Sequence, residues 1–188
     1  MNKFKLYSSF ALLVLCIQFS SCSILDFSEN EAQDFLISLY QGQEELGSET
    51  VSIRDFNGQH VVLNFWAGLC PACRNEMPNL EVFYKSHEDD LIFIGVDVGP
   101  YIGLGSEDDG KNLLSELSVT YPAGFATDGN VVLDYKLLYM PTTLFISPNG
   151  KVTKRFEGTV GQGPLFRYAA EFINNNDQKA IIEKLIVN

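Results

Sequence analysis

Histidine, cysteine and positive charge are all scarce in this chain. Two histidines, His60 and His87, and four cysteines, Cys16, Cys22, Cys70 and Cys73, are spread over 188 residues. A structural zinc site needs about four ligands at suitable spacings. One Cys-x-x-Cys and two isolated histidines do not supply them, so no metal is expected. Thirteen Lys and Arg stand against 24 Asp and Glu, a formal net charge of −11. Nucleic acid phosphates call for Lys and Arg, so a nucleic-acid partner is excluded. Anionic lipid headgroups would repel such a surface too, and its acidity reads as a means of staying soluble. The run Glu107-Asp108-Asp109 lacks the alternating oxygen ligands and the later bidentate glutamate of a calcium loop. It fits the first turn of a helix, where negative charge is favoured. Internal repeats and low-complexity tracts are also missing. With 46% apolar and 20% charged residues, the composition is that of a globular domain rather than a disordered chain.

The N-terminus has a different character. "MNKFKLYSSFALLVLCIQFSSCS" carries Lys3 and Lys5, then an apolar run through Phe19, then small residues. That is the layout of a secretory signal. The apolar part is short and soon broken by Gln18 and serines, which argues against a stable span. Phe19-Ser20-Ser21-Cys22 resembles a bacterial lipobox, with Phe19 where leucine is usual. The resemblance implies a signal over 1–21, a lipidated Cys22 and anchoring to the outer face of the cell membrane. Ordinary signal cleavage with secretion, or an uncleaved anchor, are the alternatives. Cys16 follows Leu15 rather than a small residue and belongs to the signal. Residues 22–31 are polar and acidic and read as a tether. A domain over 32–175 and a helical tail over 176–188 complete the chain.

Within the domain, "DFLISLY" and "TVSIRDF" read as strands around the turn "QGQEELGSE", forming an N-terminal hairpin. "HVVLNFW" is apolar nearly throughout, as suits a strand buried on both faces. From Cys70 onward, Cys73, Met77, Leu80 and Tyr84 recur at helical spacing. "LIFIGVDV" is a second buried strand, followed by a loop over 99–105. "SEDDGKNLLSELSV" is a helix whose Ser106 and Asp109 make a capping box. "YPAGFATD" is a short strand and "NVVLDYKLLY" a short helix. "PTTLFIS" and "KVTKRFEG" form a closing hairpin around Pro148-Asn149-Gly150. "GPLFRYAAEFINN" is a helix, and "DQKAIIEKLIVN" one more. This order gives an α/β fold with a central mixed sheet flanked by helices.

The chemistry is concentrated in "NFWAGLCPACRNEMP", Asn64 to Pro78. Once the signal and the lipid site are set aside, only Cys70 and Cys73 remain as thiols. Outside the cytosol a disulfide between them would persist. It would close a two-residue loop, which staples almost nothing, because stabilisation grows with loop length. The pair lies where a buried strand passes into a helix. The free N–H groups of a first helical turn favour a thiolate, so Cys70 has the lowered pKa of a nucleophile. Cys73, one turn on and more covered, is the resolving thiol. Pro71 suits the first turn, where its missing N–H costs nothing.

The same stretch resembles the thioredoxin-like family, and specifically its exported TlpA/ResA branch, whose typical segment reads NFWATWCPPCRAEMP. "AQDFLISL", "IRDFNGQHVVLNFWA" and "LLYMPTTLFISPNGKV" extend the resemblance over about Ala32 to Phe172. It implies a thioredoxin fold and thiol–disulfide exchange without a cofactor. Pro141, within Met140-Pro141-Thr142, matches the cis-proline that faces the cysteine pair, borders the substrate groove and helps keep metal off the thiols. Glu76 matches the CxxCxxE glutamate and would exchange a proton with the buried thiol. Asn64 stands where cytosolic thioredoxins have an aspartate, which leaves Glu76 as the nearby acid. Trp66 shapes the site, and Pro71 and Ala72, between the cysteines, tune its redox potential. Leu69 replaces the usual aromatic and keeps an apolar rim.

The resemblance implies a monomer that reduces oxidised client proteins and is recharged by an integral-membrane thiol donor. Apocytochrome c before haem attachment is the client it favours. General disulfide reduction and copper-centre assembly are the alternatives. A thiol peroxidase of this fold needs threonine three residues before its reactive cysteine, and Ala67 stands there. A non-catalytic scaffold lipoprotein would have no use for an intact motif.

Overall fold

The computed structural model describes residues 31–186, with side chains as far as Asn174. The signal over 1–21, Cys16, Cys22 and the tether up to Asn30 lie outside the described residues, as do the last two positions of the tail.

The elements run β1 (Leu36–Gln41), α1 (Gln43–Leu46), β2 (Thr50–Ser52), a 3₁₀ turn (Ile53–Phe56), β3 (Val61–Trp66), α2 (Pro71–His87), β4 (Ile92–Asp97), α3 (Gly99–Ile102), α4 (Glu107–Glu116), β5 (Ala123–Ala126), α5 (Val131–Asp134), β6 (Thr142–Ile146), β7 (Val152–Glu157) and α6 (Gln162–Ile186). The strands form one mixed sheet in the order β2-β1-β5-β4-β3-β6-β7. β3 lies inside, parallel to β4 and antiparallel to β6, and all of its residues are buried. Its apolar run is what a strand covered on both faces requires. Val62 and Trp66 point into a core shared with Met77, Leu80 and Phe83 of α2, Leu113 and Leu114 of α4, and Leu165 and Phe172 of α6. Val61, Leu63 and Phe65 point the other way, toward Ile37, Ile53, Phe56, Val131 and Tyr135. The period-2 alternation of a strand thus divides the protein into two apolar layers.

The expected α/β order and both hairpins are present, with local differences. "TVSIRDF" is a strand only to Ser52. There the Ser52 N–H donates to Asp55 Oδ2 at 2.7 Å and Ser52 Oγ accepts from Arg54 N–H at 3.1 Å, a capping box that turns the chain into the 3₁₀ turn. The turn after β1 contains α1, held between Gly42 and Gly47, both left-handed. The loop expected over 99–105 begins with α3. "NVVLDYKLLY" is helical only over Val131–Asp134. The two C-terminal helices run together as α6. No glycine or proline after Pro164 interrupts the backbone there, and those are the residues that end helices most strongly.

This topology brings the C-terminal ends of β3 and β4 side by side, with Trp66 opposite Asp97. The start of β6 lies on the other flank, with Thr142 opposite Phe65. The site forms at that edge. On the far side of β4, β1 pairs antiparallel with β5, Leu39 opposite Gly124. A Cβ on Gly124 would collide with the Ser38 carbonyl oxygen and sit 2.7 Å from Leu39 Cα. Neither atom can swing aside, since both are backbone. Gly124→Ala should therefore force β1 off β5 and cost about 2 kcal/mol, read as a lower urea midpoint; an unchanged midpoint would contradict the close approach.

Candidate active site

Cys70 is the N-cap of α2, with extended backbone, and Pro71 opens the helix behind it. Cys70 and Cys73 are joined as a disulfide. The Cys73 N–H donates to Cys70 Sγ at 3.1 Å. That contact makes the argument for Cys70 concrete. On reduction, a thiolate at Cys70 meets an unpaired helix N–H and the positive end of the helix dipole. Both cysteines are nearly covered, Cys70 at 5% exposure and Cys73 at 1%, so Cys70 is the outer of the two. The approach loop is pinned at both ends. Cys70 N–H donates to Ala67 O at 3.1 Å, and Leu69 N–H to Leu104 O at 2.8 Å. The Leu69 side chain projects into solvent.

Glu76 lies one turn beyond Cys73 on α2 and is fully buried. Its Oε1 accepts from Val160 N–H at 2.6 Å, and Oε2 faces the Asn64 amide nitrogen at 3.5 Å. Asn64 also donates to Thr143 Oγ1 at 2.9 Å. Burial pushes the Glu76 carboxyl up to about 7, and the hydrogen bonds from Val160 and Asn64 hold it from going higher. A carboxyl in that range is partly protonated at neutral pH, so it can both take up and return a proton.

The remaining expected residues divide into surface and support. The Met140–Pro141 peptide is cis, and it directly precedes Thr142, which lies opposite Phe65 near the end of β3. Pro71 is exposed, and Ala72 and Met140 are partly so. Trp66, Pro141 and Thr142 are buried. Thr142 Oγ1 donates to Tyr139 O at 2.6 Å, and the Pro141 carbonyl accepts from Gly158 N–H at 2.8 Å. Ala67 is buried and has no hydroxyl to hold a peroxide. His87 ends α2 with Nδ1 2.9 Å from Phe83 O and its ring against Phe83 and Phe166. Among the described residues no group of three or more His, Cys, Asp or Glu is arranged to hold a metal ion.

Sequence reading missed two features. Leu138 and Tyr139, just before Met140-Pro141, are among the most exposed large apolar side chains; their place beside "MPTT" was the available signal. Asp97 is fully buried at the end of β4. Its signal was a carboxylate inside the apolar run "LIFIGVDV".

A sheet of this order, with a disulfide capping its long helix and a cis-proline alongside, is the thioredoxin-like arrangement. The chain belongs to the AhpC/TSA family, whose family model matches residues 29–155. It is similar to the thiol-disulfide oxidoreductase ResA of Oceanobacillus iheyensis, 33% identical over 132 residues, a match that covers 69% of this chain and 64% of that protein's length. ResA of Bacillus subtilis is 29% identical over 126 residues, covering 66% of this chain and 68% of its own. Among solved structures, the pneumococcal exposed lipoprotein thioredoxin Etrx1 of Streptococcus pneumoniae has a TM-score of 0.63 at 26% identity, covering 74% of this chain and 99% of that one. StoA of Bacillus subtilis shares the fold, with a TM-score of 0.60 at 22% identity over 73% of this chain and 96% of its own. The protein is thus of the TlpA/ResA type among thioredoxin-like proteins.

The raised Glu76 value has a consequence for stability. The folded state holds this proton up to about 7, whereas a solvated glutamate releases it near 4.5. As pH rises, the unfolded chain ionises first. Stability from this group is full below about 4.5 and is lost between there and about 7, by up to about 3 kcal/mol. Glu76→Gln removes the titration. Urea unfolding should show the variant gaining on the native protein across that window and holding its advantage above it. A difference that does not change with pH would mean that Glu76 titrates alike in the folded and the unfolded chain.

Proposed function

We propose that the protein is an exported, lipid-anchored thiol–disulfide oxidoreductase that reduces disulfides of other extracytoplasmic proteins. The observation that carries this is the Cys70–Cys73 disulfide at the N-terminus of α2, with Glu76 buried one turn behind it near neutral pKa.

In the reduced protein, the Cys70 thiolate attacks one sulfur of a client disulfide. A Cys70–client mixed disulfide forms, and the client's other sulfur leaves as a thiolate that takes a proton. Glu76 then accepts the Cys73 proton, and the Cys73 thiolate attacks Cys70 Sγ. The Cys70–Cys73 disulfide forms, and the client's second sulfur leaves and is protonated. Two electrons and two protons pass from the dithiol to the client. A thiol donor in the membrane restores the dithiol. Pro71, Ala72 and Met140 border the groove in which the client lies, with the Leu69 side chain at its rim.

The names of the ResA relatives support the exchange activity, and that of the exposed lipoprotein Etrx1 supports anchoring through Cys22. Apocytochrome c is the client favoured by the likeness to the TlpA/ResA branch.

In cells making Cys73→Ser, the second step is blocked, so clients should accumulate as mixed disulfides on Cys70 that thiols release. Cys70→Ser should trap none. Trapping through Cys73 would reverse the assigned roles, and no trapping by either variant would remove the activity. A trapped protein with a haem-attachment Cys-x-x-Cys-His would support cytochrome maturation; trapping of unrelated clients only would favour general reduction. Cys22→Ala should move the protein out of the membrane fraction, and its retention there would contradict the lipid anchor.

A further inference from the structure

Asp97 ends β4 opposite Trp66, fully buried, and the exchange chemistry gives it no task. Its carboxylate is seated against backbone. Oδ1 accepts from Gly99 N–H at 2.8 Å, and Oδ2 accepts from the Tyr40 hydroxyl at 3.2 Å. A Cβ on Gly99 would stand 2.9 Å from Oδ1, and one on Gly110 would overlap Oδ2. The carboxylate therefore fits only because both neighbours are glycine. It joins β1, α3 and α4 at one point.

From this point a run of backbone hydrogen bonds reaches the cysteines. Gly99 opens the strap over 99–105. Leu104 N–H donates back to Gly99 O at 3.1 Å, and Leu104 O accepts from Leu69 N–H at 2.8 Å. Leu69 directly precedes Cys70. The strap and the cysteine loop also pack without space for side chains. A Cβ on Gly105 would come within 3.2 Å of Leu69 N, and one on Gly68 within 2.6 Å of Gly110 N.

We propose that Asp97 is a positioning residue of the redox centre: its carboxylate holds the strap that fixes Leu69, and so sets Cys70 on the helix N-terminus, and protonation releases that hold. The inference rests on the reading of Cys70 as the attacking thiol.

The charge setting makes the switch accessible. Tyr40 faces Asp97 from β1, and Glu107 and Asp109 bear on it from α4. Lys111 of α4 has its Nζ 5.1 Å from the centre of the Tyr40 ring. Burial pushes the Asp97 carboxyl up to about 6; the Gly99 and Tyr40 hydrogen bonds pull it down, and Glu107 and Asp109 push it up. A carboxylate accepts both bonds with its full charge, whereas a carboxylic acid makes weaker ones and turns one oxygen into a donor. The strap is held firmly above that pH and loosely below it.

The test is an amide ¹H–¹⁵N titration of the purified, oxidised full-length protein in detergent. The Gly99, Leu104 and Leu69 signals should move together, with one midpoint near 6. Asp97→Asn should abolish the step in all three. Tyr40→Phe, which removes a donor to the carboxylate, should raise the midpoint, and Glu107→Gln should lower it. These two variants decide the matter even if Asp97→Asn fails to fold. In the reduced protein with Glu76→Gln, the iodoacetamide rate at Cys70 should show the same low-pH step, and Asp97→Asn should remove it. A Leu69 signal that ignores the step, midpoints unmoved by both variants, or a Cys70 rate profile that Asp97→Asn leaves unchanged would overturn the proposal. Peptide mapping of the alkylated protein separates the underlying reading: if Cys73 labels first, the assigned order of the cysteines fails, while the amide titration still decides what Asp97 holds.

Discussion

Everything at this site depends on where a buried strand becomes a helix. β3 is covered on both faces, so its direction and end point are set by packing rather than by the loop that follows. The chain leaves Trp66, turns through Ala67, Gly68 and Leu69, and caps α2 with Cys70. The free N–H of Cys73 then points at the sulfur. A thiolate there gains a charge-assisted hydrogen bond and the helix dipole without any lysine or arginine nearby being required. In a chain with few positive residues, backbone geometry takes the place of cationic side chains.

The same economy governs the two buried acids. Glu76, in the second turn of α2, and Asp97, at the end of β4, are satisfied by neutral donors: Val160 N–H and the Asn64 amide for one, Gly99 N–H and the Tyr40 hydroxyl for the other. Burial raises both, and neutral donors offset the shift only in part. Each carboxyl therefore changes charge within a physiological range. In the proposed exchange Glu76 moves a proton at the resolving thiol, and in the proposed switch Asp97 governs the backbone that carries the attacking one.

How much of this was legible in the sequence follows from distance along the chain. The cysteine pair, the helix it caps, Glu76 and the Ser106–Asp109 capping box are set by residues a few positions apart, and each was found. The exposed or buried state of the expected groove residues was not, because it depends on what β6 and β7 place around them; Trp66, Pro141 and Thr142 are buried, whereas Pro71 is exposed. The partners of the buried acids come from far away. Val160 meets Glu76 across 84 positions, and Tyr40 meets Asp97 across 57. Nothing local in "LIFIGVDV" shows that Gly99 and Gly110 leave space for a carboxylate. Local chemistry also cut "TVSIRDF" short, since Ser52 and Asp55 satisfy each other's backbone and end the strand.

The central claim is that the Cys70–Cys73 pair donates electrons. The most direct measurement is its reduction potential, by equilibrating the purified protein against defined thiol buffers and quantifying the two forms. The account predicts a value near that of thioredoxin, about −270 mV. A value near that of the strong oxidant DsbA, about −120 mV, would mean that the pair supplies disulfides instead, and would contradict it.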